Sequence, residues 1–336
     1  VTLLEARYRR VLRLLPAHYR AEREEEMVDA FLEGAADLDE DEAHPRWSEV
    51  LSVAALAVRV RLGGAGSTAR GAAWGEAVRL AAVAGLFLNA MTAAQGLAAE
   101  ALVRAGVIGP VPEEFRAVTT LGVLATAAGV AWVAAFAALA RGRLRVAKAA
   151  AVLGLVPLPV EVVRQVIGGV PAVWVLSILL MGLVGVIPVL ALLAGYHRDA
   201  AAPRLHWAMP LAPPAAGLLA VVAILALAGS PTRPTWVVAW LDLPGLGFLA
   251  LAGLSVWHAR TGRTASPAWP LALALLAFTT LASRLGTIAV SLSVGAPGDP
   301  LLAGAAVQAG VLLALGLVLL GLGRRALPSP APAVRL

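Results

Sequence analysis

Cysteine is absent from the 336 residues. That excludes disulfides, thiolate nucleophiles and Cys-ligated metal centres. Charge is scarce as well. Asp, Glu, Lys and Arg make up 14% of the chain, against about a quarter in an ordinary soluble domain. Lysine occurs once, as Lys148. No Gly-rich phosphate loop followed by Lys-Ser/Thr is present, so no nucleotide-driven motor of that type is encoded. HExxH and GxSxG are also missing. No catalytic residue, metal ligand or cofactor is therefore assigned, and the reading leans away from an enzyme. The first 45 residues hold no apolar stretch of signal-peptide length, which leaves the N-terminus expected on the cytoplasmic side.

What is abundant is apolar. Hydrophobic residues reach 60% and the mean hydropathy is +0.81. The excess comes as uninterrupted apolar runs of about twenty residues, the length that crosses ~30 Å of hydrocarbon as a helix. Eight such runs are placed near 78–99, 117–140, 147–165, 172–195, 208–229, 236–258, 268–291 and 301–322. The expected fold class is all-α: an integral membrane bundle of about eight transmembrane helices with a small N-terminal soluble helical domain. The third run is the weakest, because Pro157 and Pro159 interrupt it. Pro210, Pro213 and Pro214 fall in the first turns of the fifth, where a missing amide donor costs least.

The domain boundaries expected are 1–70, 75–323 and a Pro/Ala-rich tail at 324–336 that reads as disordered. Within 1–70, Thr2-x-x-Glu5 is a capping box opening a helix with Leu4, Tyr8, Val11 and Leu15 on one face. A second helix from Pro16 to about Leu32 would bury Tyr19, Met27, Val28 and Phe31 and solvate Glu22, Glu24, Glu25 and Glu26. Residues 37–42 read as an exposed acidic linker. After Pro45, the spacing of Trp47, Leu51, Ala54, Val58 and Leu62 predicts a third amphipathic helix. Arg59, Arg61 and Arg70 suit a segment close to anionic headgroups.

The formal charge of +6 invites a nucleic-acid reading. The arginines are spread over short loops between apolar runs, however, so the partner implied is the lipid bilayer and no direct nucleic-acid binding is expected. With the N-terminus inside, Arg141, Arg143, Arg145, Lys148, Arg198, Arg204, Arg260, Arg263, Arg324, Arg325 and Arg335 fall on the cytoplasmic side. Arg104, Arg116, Arg164 and Arg233 fall outside. That bias is the positive-inside pattern for an even number of spans, with both termini in the cytoplasm of a cell membrane.

Ionisable groups inside spans are the functional pointers. Asp242 and Arg284 lie six and seven residues from the outer ends of the sixth and seventh runs, roughly 10 Å deep at 1.5 Å per residue. Gln95 and Gln308 fall at similar depths, Asn89 lies near mid-span, and Thr287 is one turn from Arg284. These six are the candidate ligand-binding residues. Two readings stay open: a buried ion pair that fixes helix packing, or a pocket open to the outside that binds a ligand or lipid. A charge relay is a third. Glu161 and Arg164 read as a local surface pair. His197, His206 and His258 read as interfacial residues and not as metal ligands. Trp74, Trp132, Trp174, Trp207, Trp236, Trp240, Trp257 and Trp269 read as an aromatic belt. Gly316, Gly321 and Gly323 favour close packing of the last span.

The segment from Tyr8-Arg9-Arg10 through Leu14-Leu15-Pro16 and Tyr19-Arg20 to the acidic run Glu24-Glu25-Glu26 and Met27 resembles a family module. It is similar to the N-terminal helical signalling domain, or permease prefix, of actinobacterial multi-pass membrane proteins. That module is often associated with PadR-type transcription regulators. The resemblance covers about 30 to 60 residues and implies a signalling role without an active site to carry over. The partner-binding residues expected are Tyr8, Arg9, Arg10, Tyr19, Arg20, Met27 and Phe31, offered to a cytoplasmic transcription regulator or other protein through residues 1–70. The leading expectation is a membrane-embedded sensor or regulator; the rival is a transporter or permease subunit using the same polar cluster as its substrate site. A lipid-acting membrane enzyme is a third class with no motif behind it.

Overall fold

Proline, glycine and helix-capping hydroxyls decide where these apolar stretches start, stop and break. The computed structural model describes residues 3–34, 46–107, 119–197, 200, 202–203, 205–228, 240, 242–260, 266–295 and 300–328. Among them there is no strand. The chain is an all-α bundle. Three short helices come first: α1 (Leu3–Leu12), α2 (Ala17–Gly34) and α3 (Trp47–Arg61). Then come α4 (Ala69–Arg104), α5 (Thr120–Ala140), α6 (Leu144–Gly154), α7 (Pro157–Ile167) and α8 (Ala172–Gly195). The last four are α9 (Ala212–Ala228, after a 3₁₀ turn at Met209–Leu211), α10 (Leu243–Arg260), α11 (Ala268–Ser293) and α12 (Pro300–Ala326).

Seven spans among the described residues are long and apolar enough to cross a membrane, with α6 and α7 counted as one. Thr68 and Thr119 cap α4 and α5, their hydroxyls accepting from the amides of Gly71 and Gly122 at 3.1 and 3.0 Å. The third run bends at Leu155–Val156, as Pro157 and Pro159 led us to expect. The sixth differs from expectation. Its described helix starts only at Leu243, and its apolar part, Pro244–Trp257, is shorter than a full span. Residues 236–239 of that expected span lie outside the described residues, as do Thr2, the acidic linker 37–42 and the tail beyond 328.

Two apolar cores share α4. One joins Ala82, Leu86, Phe136, Leu139, Ala151 and Leu192 from α4, α5, α6 and α8. The other joins Ala77, Ala81, Leu251, Leu271, Leu276 and Leu312 from α4, α10, α11 and α12. Lipid is as apolar as a leucine side chain, so such helices associate by close packing of small residues and by polar contacts, not by hiding oil from water. The glycines show this. A Cβ on Gly85 would sit 2.3 Å from Cγ of Pro188 in α8, and one on Gly217 would sit 2.4 Å from the Met91 carbonyl oxygen.

End-to-end contacts fix how the helices alternate. Lys148 Nζ donates to the Tyr196 carbonyl at 2.6 Å, Arg79 lies against Gly195, and Gly323 lies against Leu271. Arg70, Arg79, Arg141, Arg143, Arg145, Lys148, Arg260, Arg324 and Arg325 therefore gather toward one end of the bundle. Arg104 and Arg164 lie toward the other.

The small helices pack on a core of Tyr8, Leu12, Leu15, Val28, Val53 and Ala57. Tyr8 stacks on Phe31 with ring centroids 4.0 Å apart. Burial, then the nearby Glu49 carboxylate, push the Tyr8 phenol above its ordinary range. The buried side of α3 is Val53, Ala57 and Val60, opposite the stripe picked from spacing. Trp47, Leu51 and Val58 of that stripe are exposed instead.

Candidate functional site

Asp242 and Arg284 meet. Arg284 Nη1 donates to Asp242 Oδ2 at 2.7 Å and Nη2 to Oδ1 at 2.8 Å, a fork-on-carboxylate geometry. Nη2 also donates to Gln308 Oε1, so α10, α11 and α12 are tied at one point. Arg284 and Gln308 are fully buried. Asp242 is not where its depth in an unbroken span would put it. It lies at the start of α10, where its Oδ1 accepts from the Gly245 amide at 2.8 Å and its carbonyl from the Leu246 amide at 2.9 Å. Asp242 is thus the N-cap of α10, and its side chain keeps 27% exposure. The helix-terminal amides and the guanidinium favour the same carboxylate.

Thr287 stands apart from this network; its hydroxyl turns back to the Ser283 carbonyl at 3.4 Å. Asn89 belongs to a different set. Its Nδ2 donates to Gly85 O at 2.8 Å and to Val184 O at 2.9 Å. The second bond has a specific cause. Pro188 sits four residues after Val184 in α8 and has no amide hydrogen, so the Val184 carbonyl lacks its helical donor, and Asn89 of α4 supplies one.

Asn89 and Gln95 line an open groove of about 530 Å³ between α4, α5, the α6–α7 bend and α8. Its walls are mostly small: Gly96, Ala99, Ala125, Ala128, Gly129, Gly154, Gly182 and Gly185. The missing side-chain volume makes the space. Gln95 is half-buried and forms no hydrogen bond with a described residue. Trp132 forms the aromatic wall, wedged where a Cβ on Gly154 would come within 2.7 Å and one on Gly185 within 3.3 Å. The belt reading therefore fails for Trp132, which sits in mid-helix and not at a span end. Its position thirteen residues into α5 was the available signal; the glycines opposite it come from other helices.

A small void of about 10 Å³, lined by Leu88, Thr92, Val184, Pro244, Gly247 and Thr280, lies between groove and ion-pair network. It is large enough for roughly one water. The six predicted residues thus divide into a hydrogen-bonded triad (Asp242, Arg284, Gln308), a groove pair (Asn89, Gln95) and the separate Thr287. Glu161 and Arg164 form the local pair expected, Nη2 to Oε1 at 2.5 Å. No group of three metal-binding side chains occurs among the described residues.

In the small N-terminal unit, Tyr8, Tyr19, Met27 and Phe31 contribute to its own core. Arg9 binds Glu25 at 2.7 Å and Glu5 at 2.9 Å, and Arg20 lies 3.9 Å from Glu24. The Arg9 hydrogen bond holds the exposed Glu25 carboxyl below its ordinary range. Arg10 is exposed. No family model, no curated protein and no solved structure matches this chain.

Proposed function

We propose that the protein is a sensor or regulator in a cell membrane, with both termini in the cytoplasm, whose α4–α8 groove binds an apolar ligand. The ligand would carry one hydrogen-bonding group for Gln95 and a flat or chain-like body for the Trp132 wall. The helical unit formed by α1–α3 would pass the signal to a cytoplasmic partner, with a transcription regulator of the PadR type as the candidate. The gathering of arginines toward one end of the bundle supports the orientation.

One observation carries this reading. A single helix, α4, lines the groove through Gln95 and also holds the segment after α3, where a Cβ on Gly75 would lie 2.0 Å from the Leu62 carbonyl oxygen. Its 36 residues make a rod of roughly 54 Å at 1.5 Å per residue. A shift imposed at Gln95 would reach the small helices through the packing of Gly75 against Leu62.

A transporter or permease subunit is the second reading, favoured by the bend at Leu155–Val156 that borders the groove and by the N-terminus of α10 at Asp242. Hydrogen exchange on the full chain in lipid nanodiscs separates the two, comparing wild type with Gly182→Leu, which fills the groove. Sensing requires altered exchange in α1–α3. Unchanged exchange there, with a solute flux that Gly182→Leu abolishes, would establish the transporter instead. Capture of a PadR-type regulator by the full-length protein, lost on Arg10→Glu, would support the partner.

A further inference from the structure

Helix α3 is apolar on two opposite faces. Val53 and Ala57 pack one against α1 and α2, and Val60 is buried on the same face. The other carries Trp47, Leu51, Ala55 and Val58 at spacings of four, four and three, a single helical stripe. Trp47 is 81% exposed, Leu51 66% and Val58 41%. Two apolar faces call for two apolar partners, and one of them is not within this chain's described residues.

The second partner is identified by what the stripe runs into. Between α3 and the last turns of α8 lies a cavity of about 400 Å³, walled by Ala55, Val58 and Arg59 on one side and Leu190, Leu193, Ala194 and His197 on the other. Leu190 and Leu193 are outward-facing residues of a membrane-spanning helix, 54% and 41% exposed. A membrane-spanning helix presents such residues to lipid. The stripe on α3 continues that surface, so the same solvent covers both. Arg59 has no partner among the described residues, and at 100° per residue Arg59 and Arg61 flank the stripe on its two sides. Arg46, Arg59, Arg61 and Arg70 outnumber the single acid, Glu49, between residues 46 and 70. Glu49 accepts from the Arg46 amide at the helix start.

We infer that α3 is an interfacial helix whose outer stripe is immersed in the headgroup–acyl boundary of an anionic leaflet, with an acidic phospholipid seated in the cavity against α8. Arg59 holds the phosphate, and one acyl chain follows Leu190 and Leu193. Apolar burial supplies adhesion and Arg59 supplies the preference for anionic lipid, while Arg61 is held by the Leu14 and Ala57 carbonyls at 2.7 and 3.2 Å. The site is separate from the α4–α8 groove and stands whether or not that groove binds a ligand.

The absence of cysteine makes the test clean. A nitroxide is attached to the full chain through Leu51→Cys, with Leu193→Cys as a lipid-facing reference and Glu26→Cys as a water-facing one. Collision rates with oxygen and with a charged nickel chelate are read in nanodiscs of phosphatidylcholine with and without phosphatidylglycerol. The Leu51 label should match the Leu193 label in favouring oxygen over nickel. Free access of nickel to position 51 overturns the immersion. Shielding from both reagents, with spin–spin broadening from a second copy or without it, assigns the stripe to a protein and also overturns it. For the lipid itself, mass spectrometry of the intact protein released from mixed micelles should show retained phosphatidylglycerol. Arg59→Gln should reduce that retention about fivefold, equivalent to about 1 kcal/mol for one basic residue at an anionic surface. Equal retention of phosphatidylcholine, or no change in the variant, rules out the phosphate contact.

Discussion

The two halves of the bundle handle polar groups in opposite ways. In the α10–α12 half a charge is fully buried and paired within the fold: Arg284 donates to both Asp242 and Gln308. In the α4–α8 half no Asp, Glu, Lys or Arg among the described residues is fully buried. Asn89 repairs one carbonyl orphaned by Pro188, and beside it Gln95 opens onto a 530 Å³ groove without a described partner. A charge in hydrocarbon must be paired within the fold, and the pairing consumes the bonding capacity that a ligand would need. A neutral amide can be left accessible at small cost. The more eye-catching residues therefore serve packing, and the plainer ones leave room for binding.

The sharpest way to break this contrast is to unpair Arg284. Asp242→Asn, which still caps α10 but removes the counter-charge, should cost about 3 kcal/mol, the low end for breaking a buried pair because Asp242 keeps some exposure. Equilibrium unfolding in mixed micelles reads this. Adding Arg284→Gln should restore much of the loss, whereas exchanging the two charges should not, because it sets a cation at a helix N-terminus. Recovery by the exchange would show that capping by Asp242 contributes nothing.

Next in size is Gly85→Ala. Its Cβ would lie 2.3 Å from the Pro188 ring, a rigid neighbour, so α4 and α8 must separate at a cost of about 1–3 kcal/mol. The same substitution at Gly310 in the other half, where a Cβ meets nothing within 4 Å, should be nearly silent in the same assay. Asn89→Ala should cost less, about 0.6–1.7 kcal/mol, as a single interhelical hydrogen bond in a membrane. An Asn89→Ala loss as large as that of Asp242→Asn would erase the distinction between the halves.

The smallest effect belongs to the N-terminal unit. Glu25 has its folded-state pKa depressed by Arg9, so its contribution is present above the ordinary carboxylate range and disappears as pH falls through the folded value. Nitroxides at Arg13→Cys and Glu33→Cys should show a broader distance distribution on acidification. Glu25→Gln should look acid-like already at neutral pH.

Much of this was legible along the chain. The α8 span, 172–195, follows from uninterrupted apolar length alone, and the bend in the third span follows from Pro157 and Pro159. The Asp242–Arg284 contact was foreseeable because charges at matched depths in neighbouring spans have few other partners. The start of α10 at Asp242 carried a signal that apolar length alone passes over: Asp242 as N-cap with Pro244 in the first turn. For α3, spacing selected Trp47–Leu51–Val58 while folding buried Val53–Ala57–Val60. Periodicity measures how apolar a face is, not which partner it meets.

By itself the sequence determined the all-α class, the long apolar character of seven of the eight expected spans and the gathering of basic residues toward one end of the bundle. These are set by local length and composition, which each segment carries alone. Only the tertiary structure decided that Arg284 is closed off, that Trp132 walls a groove and that Asn89 serves a proline on another helix. Each of those depends on volume and hydrogen-bonding capacity summed across helices distant in the chain, and no single segment encodes that sum.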